Sequence, residues 1–326
     1  MKATAKAPAN IAFIKYWGKS DEEERIPLND SFSMNLSSAH TITTVEFVPG
    51  MTEDNVSLLG GTFSDEETKR VVRGLDRIRV QIGSNMKAKV VTSNSFPKGT
   101  GSAASASGFA ALTVAACAAI GASLSEKDLT ILARLGSGSA CRSIPDGFVY
   151  WEKGTDSGSS YAYSLYPETY WDLRDLLVIV DRSMKKISTT DGMEAVRTSP
   201  KLASRLEEVP RRIEAMKNAF AEKQFHRFGE ILEEECLDMH AVMQSQVPPL
   251  RYWNETTRLL MDRVVHWRNE GIQVYFTIDA GPNVHLICEG HQEAAVLDKL
   301  RTIPGILEII SNTPAPGTVC ISDHLF

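Results

Sequence analysis

Cysteine and histidine are scarce in this 326-residue chain, at five and seven residues, and neither is spaced for a metal. Cys117, Cys141, Cys236, Cys288 and Cys320 are odd in number and widely separated, and no CxxC occurs. That excludes a disulfide framework and a zinc site of the usual spacing, and predicts buried, reduced thiols in a cytoplasmic protein. The histidines show no His-x-x-His or His-x-x-x-His pair and read as structural or surface residues. Long apolar runs are also missing. The longest, residues 109–122, is Ala-rich and falls short of the ~18–20 residues a membrane span needs. The opening MKATAKAPANIAFIKYWGK is too charged for a signal peptide. There is no basic excess either: 35 Lys and Arg stand against 41 Asp and Glu, a net charge of −6. This argues against nucleic acid or an anionic membrane as partner. An anionic ligand must be held by local cations instead.

Hydrophobic residues at 43% and charged residues at 23% are ordinary globular usage. The length fits two domains, at roughly 100–200 residues each, or one large one. Residues 42–48 and 88–93 are β-branched and read as strands, with helical spacing between them from Glu66 to Ile82. The tract NSFPKGTGSAASASG at 94–108 runs into FAALTVAACAAI, which predicts strand, small-residue loop, Ala-rich helix. A further helix starts near Ser125 with a capping pattern and ends near Gly136. Residues 176–181 (LLVIVD) predict a buried strand. Composition then shifts, and 199–270 reads as three helices. Strands at 273–278 and 284–288 flank the loop 279–283; a helix at 291–302 and a strand at 306–311 follow. The mixture predicts an α+β chain divided near 182, into 1–182 and 183–326.

Four segments can carry chemistry. A small-residue loop entering a helix aims several backbone N–H groups at one point and favours an anion. Gly99 and Gly101 permit close approach, Ser102, Ser105 and Ser107 can donate to phosphate or ligate a cation, and Lys98 adds charge. The tract is neither GxxxxGK[ST] nor GxGxxG, and a flexible loop before a tightly packed helix accounts for it equally well. Second, Ser137, Ser139, Arg142 and Ser143 converge within seven residues, and an Arg fork fits a carboxylate or phosphate; a Ser/Gly turn with a surface Arg is the plain alternative. Third, Asp279 falls where a strand ends in Ala-Gly-Pro-Asn, suited to a catalytic carboxylate and equally to a turn former. Fourth, Asn10 to Lys19 places Lys15, Tyr16 and Lys19 together, apt for phosphate oxygens or for a solvated strand.

Together these segments resemble the ATP-dependent mevalonate diphosphate decarboxylases, of the GHMP kinase group that includes galactokinase, homoserine kinase and mevalonate kinase. NIAFIKYWGK, PLNDSFSMNL, FPKGTGSAASASGFAAL, ARLGSGSACRSIPDGFVYW, KKISTTDGM with TSP, and DAGPNV occur in the family's order. The resemblance implies two α+β domains, the first ribosomal S5 domain 2-like and the second a ferredoxin-like sandwich, with the site in the cleft between them. It implies ATP and Mg²⁺, a phosphorylated mevalonate as small-molecule substrate, and a homodimer. It implies that Asp279 orients or deprotonates the tertiary hydroxyl, that Arg142 and Asn10 hold the carboxylate end, and that Lys15 lies near the transferring phosphoryl. Tyr16, Lys19, Arg70, Ser137, Ser139 and Ser188 would line the phosphorylated tail, and Lys98, Gly99, Gly101, Ser102, Ser105 and Ser107 the nucleotide. Metal ligands are not marked. The loop departs from the family in losing one serine and gaining Lys98, and Ile144-Pro145-Asp146 stands where a tyrosine–glycine pair is usual. MKATAKA and HTITTVEF are similar to archaeal-type phosphomevalonate decarboxylases, so the resemblance leaves open whether the tail carries one phosphate or two. A kinase that stops after phosphorylation and a non-catalytic binding module are the alternatives.

Overall fold

The structure, a computed structural model, describes residues 1–96, 103–183 and 189–326. Its first half is built on β1 (Lys2–Ile14), β2 (Lys19–Asp21), β3 (Ile26–Pro27), β4 (Ser31–Phe47), β5 (Asn55–Leu58), α1 (Asp65–Ile82), β6 (Ala88–Asn94), α2 (Ala103–Ala119), α3 (Glu126–Gly136), β7 (Phe148–Glu152) and β8 (Tyr161–Tyr166). A 3₁₀ turn at Gly138–Ser143 joins α3 to β7. Next come β9 (Leu173–Ile179), α4 (Thr189–Glu194), α5 (Leu202–Ala221), α6 (Phe225–Ser245), α7 (Glu255–Asn269), β10 (Val274–Thr277), β11 (Val284–Glu289), α8 (Glu293–Leu300), β12 (Glu308–Asn312) and β13 (Val319–Ile321).

Local chemistry explains several boundaries. Ser64 and Glu67 form a reciprocal capping box before α1, and Gly83 closes it at φ 65, a left-handed conformation that favours glycine. Ser125 accepts from the Asp128 amide and starts α3. The long strand β4 is shared lengthwise: residues 31–34 pair β7, residues 41–47 pair β6, and β1 runs antiparallel along the other edge. This first sheet has the order β13-β1-β4-β6-β5, with β7 and β8 extending from β4. Ala106, Ala110, Ala111 and Ala115 are buried, so the Ala-rich α2 lies close against the sheet.

The second sheet has the order β10-β11-β9-β12 and is antiparallel. Two pairings cross the expected division at 182. Strand β9, which precedes it, pairs with β11 and β12 of the second sheet, while β13 at the far end of the chain pairs with β1 of the first. The boundary at 182 therefore does not separate the two sheets. Among the cysteines, Cys117, Cys141, Cys236 and Cys288 are buried as expected, but Cys320 in the edge strand β13 is exposed. No helix among the described residues is long and apolar enough to cross a membrane.

An aromatic core joins the two sheets. Phe220 of α5 meets Phe32 at 4.9 Å, Phe148 at 4.7 Å and Trp171 at 5.0 Å, and Phe13 meets Phe228 of α6 at 4.9 Å, all ring centroids. Edge-to-face pairs of this kind add to the burial of large apolar area. Residues more than a hundred positions apart thus share one core. Replacing Phe220, which is fully buried, with alanine is expected to cost about 3–5 kcal/mol, measured by urea unfolding. A midpoint unchanged from the parent would contradict the role given to this core.

Candidate active site

Strand β1 delivers its last residues to a buried junction, and Lys15 follows directly at 1% exposure. A lysine out of water requires a partner. Asp279, 264 residues away in the turn between β10 and β11, supplies it: Nζ donates to Oδ1 at 2.6 Å. That turn is tied down on three sides. The Gly281 amide donates to the Asp279 carbonyl at 2.7 Å, the Thr257 hydroxyl donates to the Pro282 carbonyl at 2.6 Å, and Asn283 Oδ1 accepts from the amides of Val180 and Asp181.

Helix α6 holds both partners. Glu235 accepts from the Lys15 amide at 3.0 Å. Cys236 Sγ accepts from the Ile278 amide at 3.2 Å, and His240 Nε2 donates to the Ile278 carbonyl at 3.2 Å. Glu233 accepts from the Phe276 amide at 3.1 Å and is bridged by Arg268 at 2.7 and 2.9 Å. The positions immediately before Lys15 and Asp279 are therefore set by one helix. Glu235 is fully buried and compensated by Arg205 and Arg212, which also reach Asp238. Burial pushes the pKa of His240 down to about 4, so the ring is neutral near pH 7.

Arg142 approaches from the 3₁₀ turn. It is buried; Nε donates to Asn10 Oδ1 at 3.2 Å and Nη1 to the Ser31 hydroxyl at 2.7 Å. Asn10 Nδ2 in turn donates to the Ser139 carbonyl at 3.2 Å and to the Ser143 hydroxyl at 2.8 Å. Both ends of the Asn10 amide are thus engaged, and Asn10 acts as the cradle of Arg142. Burial alone would raise the pKa of Asp279, but Lys15, His285 and Arg142 outweigh it and hold the carboxyl down to about 2. Asp279 is thus an ionised acceptor facing two cations.

Several residues expected at the phosphorylated tail have defined neighbours. Tyr16 packs edge-on to Trp151 at 4.8 Å and lies so close to Gly138 that an added Cβ there would sit 2.6 Å from the phenol oxygen. Burial raises the phenol pKa, so it stays protonated and can donate. Ser137 is buried with its hydroxyl 3.1 Å from that of Ser105, which brings the start of α2 to the same place. Lys19 is buried and ion-paired with Glu22. Arg70 stacks on Phe109 at 4.9 Å and donates to the Gly136 carbonyl at 3.1 and 3.3 Å; burial and the neighbouring Arg25 and Arg73 lower its pKa to about 10.

Ser107 is fully buried, with its hydroxyl 2.7 Å from Thr41 of β4, and braces α2 on the sheet. Lys98, Gly99, Gly101, Ser102 and Ser188 lie outside the described residues. Sequence reasoning missed Ser31, Glu235, Cys236 and His240. One signal was available for Glu235: it falls at helical spacing from Leu232 and Met239, a carboxylate on an apolar face.

Comparison with known proteins bears on this arrangement. A family model described as "Diphosphomevalonate decarboxylase-like N-terminal domain" matches residues 7–162, and one described as "Mevalonate 5-diphosphate decarboxylase C-terminal domain" matches 176–313. The diphosphomevalonate decarboxylase of Candida albicans is 35% identical, over 99% of each chain. This chain belongs to the diphosphomevalonate decarboxylase family. The family member from Saccharomyces cerevisiae is 35% identical over 93% of this chain and 83% of its own. Among solved structures, mevalonate diphosphate decarboxylase from Staphylococcus aureus superposes with TM-score 0.94 at 37% identity, over 98% of each chain. A structure of MDDEF in complex with MVAPP, AMPPCP and magnesium gives TM-score 0.93 at 37% identity over 99% of each chain. The GHMP-type, two-part α+β architecture expected from the sequence is therefore the fold of this family member.

The depressed carboxyl pKa has a consequence for stability. The folded value of about 2 lies below the ordinary carboxyl value of 3.8, so the stabilisation is present above 3.8 and disappears as pH falls toward 2. The advantage of the parent over Asp279→Asn in unfolding free energy is expected to shrink by about 2 kcal/mol between pH 4 and pH 2. Parallel stability curves for the two proteins would show that the Lys15–Asp279 pair does not form.

Proposed function

We propose that this chain is an ATP-dependent decarboxylase of a 5-phosphorylated mevalonate, yielding an isopentenyl phosphate or diphosphate with ADP, phosphate and CO₂ in the mevalonate pathway of isoprenoid synthesis. The observation that carries the reading is the convergence of Lys15, Asp279 and Arg142, from distant segments, on one buried centre. Ionised Asp279 accepts a hydrogen bond from the substrate's tertiary hydroxyl and aims its oxygen at the γ-phosphoryl group of ATP. With its pKa near 2, Asp279 is a weak base before reaction; orientation comes first, and proton transfer follows as the O–P bond forms. Lys15 offsets negative charge on the transferring group. The C3–O bond then breaks with phosphate as leaving group. Arg142, held by Asn10 and Ser31, aligns the carboxylate so that the C–C bond electrons move into the new double bond as CO₂ departs.

Tyr16, Lys19, Arg70, Ser137 and Ser139 are assigned to the phosphorylated tail, and Ser105 to the nucleotide. The first turn of α2 at Ser105, beside Ser137, is compatible with an anion at a helix N-terminus. Mg²⁺ would enter with the nucleotide phosphates, the usual mode for this ion. A homodimer and a cytoplasmic location belong to the same reading. The kinase alternative lacks a use for the cradle that Asn10, Ser31 and Ser143 build around Arg142.

Asp279→Asn is expected to retain ATP affinity while losing turnover by at least a hundredfold, and Arg142→Gln to lose CO₂ release more than thermal stability. ADP formed by the parent without trapped CO₂ would make it a kinase. Near-parental activity of Asp279→Asn would remove the carboxylate from the mechanism.

A further inference from the structure

Three arginines from two separate elements crowd the C-terminal end of α3. Arg25 Nε donates to the Leu135 carbonyl at 2.9 Å, Arg77 donates to the same oxygen, and Arg70 takes the Gly136 carbonyl. Arg73 is near enough to depress the pKa of both Arg25 and Arg70. A helix end carries about half a negative charge and is satisfied by one cation. Three guanidinium groups exceed that need; Arg73 is paired with Glu66, and Glu22 and Glu67 offset Arg25 and Arg70 only in part, so an anion joining them would stabilise the cluster. Burial first, then Arg77 and Arg73, lowers the pKa of Arg25, while Tyr16 and Glu22 act in the opposite direction. Tyr16 is one of the residues assigned to the substrate tail.

The backbone at Arg25 adds an independent mark. It closes the turn between β2 and β3 at φ 53, a left-handed conformation that is uncommon outside glycine and costs free energy. The side chain reaches the Leu135 carbonyl and lies near enough to Tyr16 to interact with it electrostatically. Its Nε is used, while among the described residues Nη1 and Nη2 make no hydrogen bond or ion pair. Two donors in a planar fork suit phosphoryl oxygens.

We propose that Arg25 is a substrate-binding residue whose Nη groups take the terminal phosphoryl oxygens of the 5-phosphorylated tail, with Arg70 alongside. The inference rests on the decarboxylase reading and deepens it. The turn between β2 and β3 then measures the length and charge of the tail, while Lys15, Asp279 and Arg142 act on the other end of the substrate.

The test compares Arg25→Leu and Arg25→Lys with the parent. Each is titrated calorimetrically with mevalonate 5-phosphate and 5-diphosphate without ATP, then assayed for ADP and CO₂ with Mg-ATP. Arg25→Leu is expected to raise Kd and KM about tenfold to a hundredfold for the ester the parent prefers, the range for one charge-assisted hydrogen bond. The kcat should stay within threefold, KM for ATP should be unchanged, and Arg25→Lys should recover part of the loss. A purely structural Arg25 would lower the melting temperature and leave the ester Kd alone, and that result overturns the proposal. So does a loss shared equally by ester and ATP. A parent that binds an ester but releases no CO₂ would instead refute the decarboxylase reading and leave the Arg25 assignment to be judged on Kd.

Discussion

The buried Lys15 amine is the constraint on which the site depends. An ammonium group almost without exposure is tolerable only beside a carboxylate, and the nearest one comes from the other sheet. Joining them requires both sheets to be held in one relation. The aromatic core around Phe220 does this for the bulk of the chain. Helix α6 does it for the reacting residues, because Glu235 grips the Lys15 amide while Cys236 and His240 grip both sides of the Ile278 peptide. The buried cluster of Glu235, Arg205, Arg212 and Asp238 is then a positioning device. Its members are costly to bury singly, but each is paired, and their combined geometry holds two strand ends in register.

Much of this was legible from residue pattern. The helices with caps and clear amphipathic spacing, α1 and α3, fall within a residue of their expected limits. The residues that carry chemistry were legible as types: a lysine, an arginine and an aspartate beside glycine and serine. Their convergence was not, since no local rule brings residue 15 to residue 279. Strand β1 escaped a clear periodic signal because nearly all of it is buried, so it lacks alternation. Strand β13 is three residues long and owes its existence to pairing with β1. The division at 182 failed to separate the sheets for the same reason: hydrogen-bond partners, not composition, decide to which sheet β9 belongs. Two residues beyond Ser105, the Ser107 hydroxyl meets Thr41, so the same residue type within one loop-and-helix segment also serves packing.

The charge distribution ties the two ends of the site together. The chain is acidic overall, so long-range steering of an anionic substrate is weak. Capture must occur where cations are concentrated, and the structure provides two such places. At one end Lys15 and Arg142 flank Asp279, so the carboxylate cancels part of their charge and keeps the reacting end from holding an anion too firmly. At the other end Arg25, Arg70 and Arg77 donate to backbone carbonyls at the end of α3, and none of them is ion-paired among the described residues. On the proposed assignment, binding energy would be concentrated on the tail, remote from the bonds that change. Tail binding that is equal in ground and transition states lowers KM without raising kcat, whereas the compensated charges at Asp279 are free to strengthen as phosphoryl transfer proceeds. On the proposed assignment, this division of labour means that exchanging an arginine at the tail would cost affinity, while loss of the carboxylate at position 279 would remove the chemistry.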